Sequence, residues 1–548
     1  MQNTGKKLLS IINLKKYFSI AKASVFQKER FYVRANEDVS LDIYEGETFG
    51  LVGESGCGKS TLGRVILQLY EQTAGNTFYY GRSRAEVAPI YVKKILSAPE
   101  KYLKKYKEAR AKAEKSEAQI RALGESASFQ QLQEDNLLRA IADSALTDAA
   151  KILGGLIAVP ARLKEGAEIL LRQHYALVKT EKINAKILAL DAAIDFYLVR
   201  HEEILKKTGE KNKARKLNAA VTRKTAKKAE LVAVKEKLAE TIDAAQAEID
   251  ALRAEFKENE EFAAYEKMLD SGIDLSKLRY NEIRRLRKDI QIVFQDPYSS
   301  LDPRMTIGQT IEEGLVTHKY FRHGSEKMKE YILKIMNDCG LQDYMLHRYP
   351  HQFSGGQRQR VCIARALAVK PKFVVCDECV SALDVSIQSQ IINLLQELKE
   401  REKLTYLFVS HDLSVVRYIS DRIGVMYLGS IVELANAGMI FKDPRHPYTI
   451  ALLSAVPTTS PDDREKEQII LEGAIPSPVR PPEGCKFHTR CFMATEKCKR
   501  VPPPLVEVEK DHFAACHFPG RKVGENGEYL FEMPKTEKKI SKFTDVGE

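Results

Sequence analysis

Nine consecutive residues, Gly53-Glu54-Ser55-Gly56-Cys57-Gly58-Lys59-Ser60-Thr61, have the types and spacing that hold a polyphosphate. Glycines at 53, 56 and 58 let the backbone curl so that successive N–H groups point inward at phosphate oxygens. The helix expected to open near Ser60 adds the partial positive charge of its N-terminus. There Lys59 would neutralise phosphate charge and the Ser60 hydroxyl would ligate Mg²⁺, with Ser55 and Thr61 completing the cradle. The apolar run Thr48 to Val52 predicts a buried strand just before the loop, so the context is strand, glycine loop, helix. The chemistry implied is the binding of a nucleotide with Mg²⁺.

Further along stand groups that could act on that nucleotide. Phe373-Val374-Val375-Cys376-Asp377-Glu378 reads as an apolar strand ending in two carboxylates. Asp377 suits contact with Mg²⁺ through water, and Glu378 suits polarising an attacking water as general base. Upstream, Ser354-Gly355-Gly356-Gln357 puts a serine and two glycines before a helix, a second anion-binding helix start. On one chain this makes sense if it faces a γ-phosphate held by a different chain. Ser381-Ala382-Leu383-Asp384 follows, then a predicted strand Thr405 to Val409 running into Ser410-His411-Asp412.

The order and spacing of these segments resemble the nucleotide-binding domain of ABC transporters. The resemblance implies ATP as the nucleotide and a role at each matching position. Ser354, Gly355, Gly356 and Gln357 are similar to the signature, with Phe353 where leucine is commoner. Gln295, in Val293-Phe294-Gln295-Asp296-Pro297, resembles the Q-loop glutamine that senses Mg²⁺ and couples to the membrane domain. His411 resembles the switch histidine at the γ-phosphate, and Asp384 the D-loop aspartate at the dimer seam. Leu14-Lys15-Lys16-Tyr17-Phe18 resembles the segment that stacks a ring on adenine, with Phe18 the better aligned and Tyr17 beside it. On this reading Glu378, His411 and Gln295 are catalytic, and Ser60, Gln295 and Asp377 serve Mg²⁺. With Lys59, Ser354, Glu378 and His411 all present, the site is expected to hydrolyse ATP.

Other stretches narrow the resemblance. Arg287 to Met305, His446-Pro447-Tyr448-Thr449 and Ile475-Pro476-Ser477-Pro478 are similar to the ATPases of oligopeptide/dipeptide (peptide/nickel) permeases, closer to the second, F-type subunit. That implies a heterodimer with a second homologous ATPase, two transmembrane permease subunits above it, and an external binding protein delivering peptide. It also implies a peripheral place on the cytoplasmic face of a bacterial cell membrane. Nickel chelates and other small solutes share this ATPase type. A chromosome-associated ATPase of the SMC type would carry its insertion after the Q-loop glutamine and far longer, so no nucleic-acid partner is expected.

Cys485, Cys491, Cys498 and Cys516 stand at C-x5-C-x6-C-x17-C in a proline-rich segment with little apolar content. Four thiolates there suggest a metal staple for a region that cannot build its own core. Zinc sites usually show C-x2-4-C pairs, whereas wider spacings suit an iron–sulfur cluster with four thiolate ligands. The permease resemblance implies a [4Fe-4S] cluster. A zinc site recruiting His488, His512 or His517 stays open, as does no metal. Cys57, Cys376 and Cys379 read as small buried residues.

Four segments position these groups. Residues 1–83 and 274–460 alternate β-branched runs, glycine turns and amphipathic helices, an α/β pattern, and the resemblance implies an ABC-type P-loop NTPase domain. Between them, 84–273 is a Lys/Glu/Ala/Leu-rich helical insertion. In it Leu231, Leu238, Ala245 and Leu252 recur every seven residues, a coiled-coil-like stripe flanked by Val234, Ile242, Ile249 and Phe256. One helix is expected over Val92 to Arg121 and another over Ile169 to Leu205, with a break at Gly154-Gly155 and Pro160. Residues 461–548 form a Cys-rich extension with a charged tail from Lys535, expected to be solvated. The 548 residues carry 44% hydrophobic and 29% charged side chains and a net charge of +11, which suits phosphate ligands without selecting them. No run approaches the roughly 18 to 20 apolar residues of a membrane span. The start Met-Gln-Asn-Thr-Gly-Lys-Lys lacks a secretory core, so a reducing compartment is expected.

Overall fold

The computed structural model describes residues 5–21, 31–126, 128–207, 211–456, 469–523 and 528–531. They divide into two compact units. One holds the described residues of 1–81, 274–276 and 280–545, and the other those of 82–273 and 277–279. The charged tail from Lys535 lies outside the described residues.

Two sheets of the first unit frame the glycine loop. The smaller runs in the order β2-β1-β4-β5, with β1 (Lys7–Ser19) antiparallel to both β2 (Tyr32–Tyr44) and β4 (Ala74–Tyr79). Its edge, β5 (Ile273–Asp274), is where the chain re-enters after the insertion. Asn76 Nδ2 donates to Asp274 Oδ2 at 2.8 Å, and the Ser276 backbone N–H and hydroxyl donate to Oδ1 at 2.9 and 2.8 Å. The buried Asp274 carboxylate therefore pins the returning chain beside β4, where it had departed at Gly81.

The larger sheet comprises β3 (Thr48–Val52), β6 (Ile290–Val293), β7 (Phe373–Asp377), β8 (Thr405–Val409), β9 (Arg422–Tyr427), β10 (Ser430–Asn436), β11 (Val506–Glu509) and β12 (His512–Ala514). Its order is β11-β12-β10-β9-β3-β8-β7-β6. From β9 to β6 the neighbours pair in parallel, and at the other end β9, β10, β12 and β11 pair antiparallel. Strands β3, β7 and β8 are buried along their whole length, as continuous apolar runs covered on both faces must be. In such a sheet the loops beyond the carboxyl ends of the strands form the ligand crevice.

The antiparallel end carries the cysteine-bearing segment, and a buried carboxylate joins it to the rest. Glu433 on β10 is fully buried and accepts the Arg445 and His446 backbone N–H groups at 2.7 and 2.9 Å. His512 on β12 places Nε2 2.7 Å from the same side chain. Burial pushes the Glu433 carboxyl up, but these donors outweigh it and hold it below the usual range. The helix Pro447–Ser454 starts at this point, capped by His446 Nδ1, which accepts the Tyr448 N–H at 3.1 Å.

The second unit is helical. Its long elements are Pro99–Leu123, Phe129–Leu153, Pro160–Lys207 of 48 residues and Lys211–Ala254 of 44 residues. The last two lie antiparallel, as the pairs Arg162–Glu255 (3.0 Å), Gln173–Gln246 (2.7 Å) and Asp191–Lys228 (2.6 Å) require. At 1.5 Å per residue, the 48-residue helix runs for about 72 Å. Their apolar stripe is buried at one end only: Ala245, Ile249 and Leu252 are covered, while Val234 is exposed. Ile249 and Leu252 join Tyr91, Ile95, Leu153 and Leu163 in a core of the unit's own. The single helix expected over Val92 to Arg121 is two, Ile90–Ser97 and Pro99–Leu123. Pro99 has no N–H to continue the first helix and its fixed φ suits the first position of the second.

Replacing Glu433 with Ala leaves the His512 ring and two backbone N–H groups without their buried acceptor. The unfolding midpoint of the first unit should fall, at a cost of about 3 kcal/mol, measured by denaturant titration of the full chain.

Candidate nucleotide site

The glycine loop leaves the carboxyl end of β3 and ends at the helix Lys59–Ile66. Gly53 has φ 151° and Gly58 φ 103°. A Cβ on Gly53 would stand 2.2 Å from the Met426 carbonyl oxygen, and one on Gly58 2.0 Å from that of Ala35. Glycine is therefore required at both positions, by backbone packing on β2 and β9 as well as by conformation. Lys59 is buried, and its Nζ donates to the Gly53 and Glu54 carbonyls at 2.8 and 3.0 Å. The ammonium is thus held at the mouth of the curled loop. Cys57 is buried within the loop, and burial pushes its thiol up, so it serves as packing.

Asp377 closes β7 with no exposed surface. Its Oδ2 accepts from Arg64 Nη2 at 3.2 Å, while Oδ1 is buried with no partner among the described residues. A buried carboxylate oxygen without a donor is costly, and water bound to Mg²⁺ beside Ser60 would supply one. The residues present therefore fit the metal. Arg64 was not among the sequence candidates, although it lies one helical turn beyond Ser60, on the same face.

Glu378 follows with φ 47°, a left-handed backbone that costs a non-glycine residue about 1 kcal/mol. Gln295, just beyond β6, donates from Nε2 to Glu378 Oε2 at 2.9 Å. His411, just beyond β8, places Nδ1 3.6 Å from the same oxygen. Three residues more than 30 positions apart in sequence thus meet at one carboxylate oxygen, beside Asp377.

Ser354 caps the helix Gly355–Ala368, and it and Gln357 bond each other: Gln357 N–H to Ser354 Oγ at 3.4 Å, Ser354 N–H to Gln357 Oε1 at 3.1 Å. Ser354 is exposed, Gly355 and Gln357 are half-buried, and Gly356 is buried, where a Cβ would meet Ile387 at 2.5 Å. Asp384 is exposed at the start of the helix Val385–Glu402 and makes no side-chain cap. Neither segment is drawn onto the glycine loop of its own chain by the hydrogen bonds among the described residues. The helix Gly355–Ala368 is instead tied to the segment after Gln295. The Arg358 guanidinium lies 3.7 Å from the centre of the Tyr298 ring, and Arg365 donates to the Ser300 carbonyl at 2.5 Å.

Phe18 and Tyr17 part company. The Tyr17 hydroxyl donates to Glu37 at 2.6 Å, and Glu37 also accepts from Lys15 at 2.5 Å. Burial and the Glu37 charge push the phenol up, so it stays a neutral donor. Phe18 sits half-buried edge-on to Tyr70 at 5.5 Å, with Lys16 Nζ 4.7 Å from its ring.

A second group the sequence reading missed comes from the far end of the chain. Arg490 grips Glu54, the loop's second residue, with Nη1 to Oε2 at 2.8 Å and Nη2 to Oε1 at 3.0 Å. Tyr448 accepts the Glu54 N–H at 2.9 Å. Glu54 is 436 residues from Arg490, and no local pattern links them.

Arg490 neighbours the cysteines. Cys485, Cys491, Cys498 and Cys516 line one small cavity, walled also by Phe487 and His446. Cys491 Sγ and Cys516 Sγ each accept the backbone N–H two residues on at 3.4 Å. Burial pushes the Cys491 thiol up to about 11 and those of Cys485 and Cys516 above their ordinary value. Among the described residues no three His, Cys, Asp or Glu converge as ligands of a single metal ion. His488 and His517 line the cavity, but His512, a sequence candidate for zinc, is committed to Glu433.

Two family models match: "ABC transporter" over residues 36–152 and 263–381, and "Oligopeptide/dipeptide transporter, C-terminal region" over 432–498. The chain is 51% identical to the oligopeptide transport ATP-binding protein AppF of Bacillus subtilis over 255 residues, which are 46% of this chain and 76% of that one. It is 48% identical to the oligopeptide transport ATP-binding protein OppF of Haemophilus influenzae over 246 residues, 45% of this chain and 74% of that one. Among the described residues no helix is long and apolar enough to cross a membrane.

A methyl group at Gly58 collides with the Ala35 carbonyl. Gly58→Ala should weaken nucleotide binding by about a hundredfold or more, read with a fluorescent nucleotide analogue on protein whose helix content is unchanged.

Proposed function

This chain belongs to the ABC transporter family, among the ATP-binding subunits of its oligopeptide/dipeptide type, and from that premise we propose how its residues do their work. It is the ATP-hydrolysing subunit of a peptide ABC importer, and permease subunits and a substrate-binding protein are the partners this implies.

The observation that carries the mechanism is the meeting of Gln295 and His411 on Glu378 Oε2, beside an Asp377 whose Oδ1 has no partner among the described residues. Glu378 takes a proton from the water that attacks the γ-phosphate, and Gln295 and His411 orient that carboxylate and the phosphate oxygens. Lys59 exchanges its loop carbonyls for phosphate oxygens, and Phe18 stacks on adenine while Tyr17 stays with Glu37. Ser60, Asp377 and Gln295 would hold Mg²⁺, which would neutralise developing charge on the phosphates. Ser354 to Gln357 and Asp384 serve the nucleotide of a second, homologous ATPase, in keeping with the exposure of Ser354 and Asp384. The signature helix moves with the Q-loop segment through Arg358 and Tyr298, so closure of the two ATPases on ATP reaches the permease subunits on the cytoplasmic face. Peptide uptake is favoured over nickel by the names of the relatives.

The helical insertion over 84–273, with its coiled-coil-like pair, is entered after β4 and left at the neighbouring β5. The cysteine segment holds a [4Fe-4S] cluster on Cys485, Cys491, Cys498 and Cys516. Four sulfurs spread around one cavity suit a polynuclear cluster better than a single zinc ion, and N–H donors to two of them favour thiolates.

Glu378→Gln should leave ATP binding intact and cut hydrolysis in the assembled complex by about a hundredfold or more; wild-type turnover would remove Glu378 from the role of base. Anaerobically purified chain should contain iron and sulfide in about equal amount, near four of each per chain, and Cys491→Ser should lose them; stoichiometric zinc instead would replace the cluster reading.

A further inference from the structure

The glycine loop and the cysteine cavity share a wall. Tyr448 accepts the Glu54 N–H on one side and packs against Phe487 on the other, with ring centres 5.3 Å apart. Tyr427 packs against both, its ring centre 4.8 Å from that of Tyr448 and 5.2 Å from that of Phe487. Phe487 is two residues after Cys485 and itself lines the cavity. Arg490 directly precedes Cys491, and its backbone N–H donates to the Phe487 carbonyl at 3.0 Å. The turn is closed by Cys485 N–H to Cys498 O at 2.8 Å and His488 N–H to Cys485 O at 3.0 Å. The Arg490 side chain is only 7% exposed and Glu54 22%, so their two-pronged ion pair is shielded from water.

We propose that Arg490 is a positioning residue of the ATP site: through Glu54 it fixes the first turn of the glycine loop, and a metal centre seated in the cysteine cavity tightens that grip. The second half rests on the cluster reading above. The physical argument is preorganisation. The loop binds phosphate with backbone N–H groups, which cost least when already aimed. A bidentate pair at Glu54 and a phenol on its N–H hold two adjacent points of the curl. Arg490 in turn hangs on a turn whose shape depends on Cys485, Cys491 and Cys498. Joining those sulfurs to one centre restricts the turn, and no electron transfer is needed for the effect. The coupling does not involve Glu378, Gln295 or His411, so it acts on binding of ATP and leaves the hydrolytic step alone.

The test uses the full chain with its partner subunits. Arg490→Ala should raise KM for ATP about tenfold with kcat within about twofold. The charge exchange Glu54→Arg with Arg490→Glu should recover more than half of the loss of either single variant. An equal fall in kcat, an unchanged KM, or an exchange as weak as the single variants overturns the positioning role. For the cavity, Kd for a fluorescent ATP analogue is compared between metal-free chain and chain reconstituted with ferrous iron and sulfide, or with zinc. Loading should tighten Kd several-fold in the wild type and leave Arg490→Ala unmoved. An equal response in both overturns the route through Arg490. Failure of the chain to take up either metal overturns the cluster reading and the cavity half with it, while the KM result still decides the clamp.

Discussion

A backbone cradle for phosphate works only where no Cβ intrudes, and in this protein that constraint is tightened by what lies behind the cradle. Gly53 backs onto the Met426 carbonyl of β9 and Gly58 onto the Ala35 carbonyl of β2, at distances that leave no room for a methyl group. The loop is therefore shaped by both sheets at once. The larger sheet brings β3 between β8 and β9, and the smaller one supplies the strand that the loop leans on. The buried Lys59 and the fully buried Asp377 can be held as charges because this frame offers them partners: two loop carbonyls for one, Arg64 for the other. Paired and hydrogen-bonded, such charges are tolerable inside; unpaired, they would shift the balance by several kcal/mol.

The same frame explains how remote residues converge. Parallel order β6, β7, β8, β3 sets the carboxyl ends of neighbouring strands side by side. Gln295, Glu378 and His411 each follow one of these ends, so a meeting at one oxygen requires only short loops. The strained backbone of Glu378 is the local expense of aiming that carboxylate. At the antiparallel end, Glu433 plays the matching part for the cysteine segment. Its buried carboxylate collects donors from the chain before Pro447 and from β12, which brings Tyr448 and the Arg490 turn up to the glycine loop.

Much of the site was legible in the residues because its chemistry is local. A glycine loop between strand and helix, an apolar run ending in Asp377-Glu378, and Ser354-Gly355-Gly356-Gln357 before a helix are short patterns whose geometry follows from backbone rules. The helical character of the insertion was legible for the same reason, since periodicity is a property of consecutive residues. Its break before Pro99 follows from the missing N–H, a local feature that outweighs the helical periodicity running on either side.

What sequence could not decide were pairings set by folding. Alignment favours Phe18 over its neighbour Tyr17, but the physical ground for separating them is tertiary: the buried Glu37 claims the Tyr17 hydroxyl. His512 had the right chemistry for a metal, yet the sheet placed it against Glu433. Arg490 and Glu54 are two ordinary charged residues at opposite ends of the chain. By itself the sequence determined which chemical groups exist and which of them share a turn, a strand end or a helix start, because those relations are fixed by dihedral geometry over a few residues. The tertiary structure alone decided which distant groups face each other across a desolvated gap. That choice depends on strand order and on burial, where the need to pair every buried charge and donor selects one arrangement.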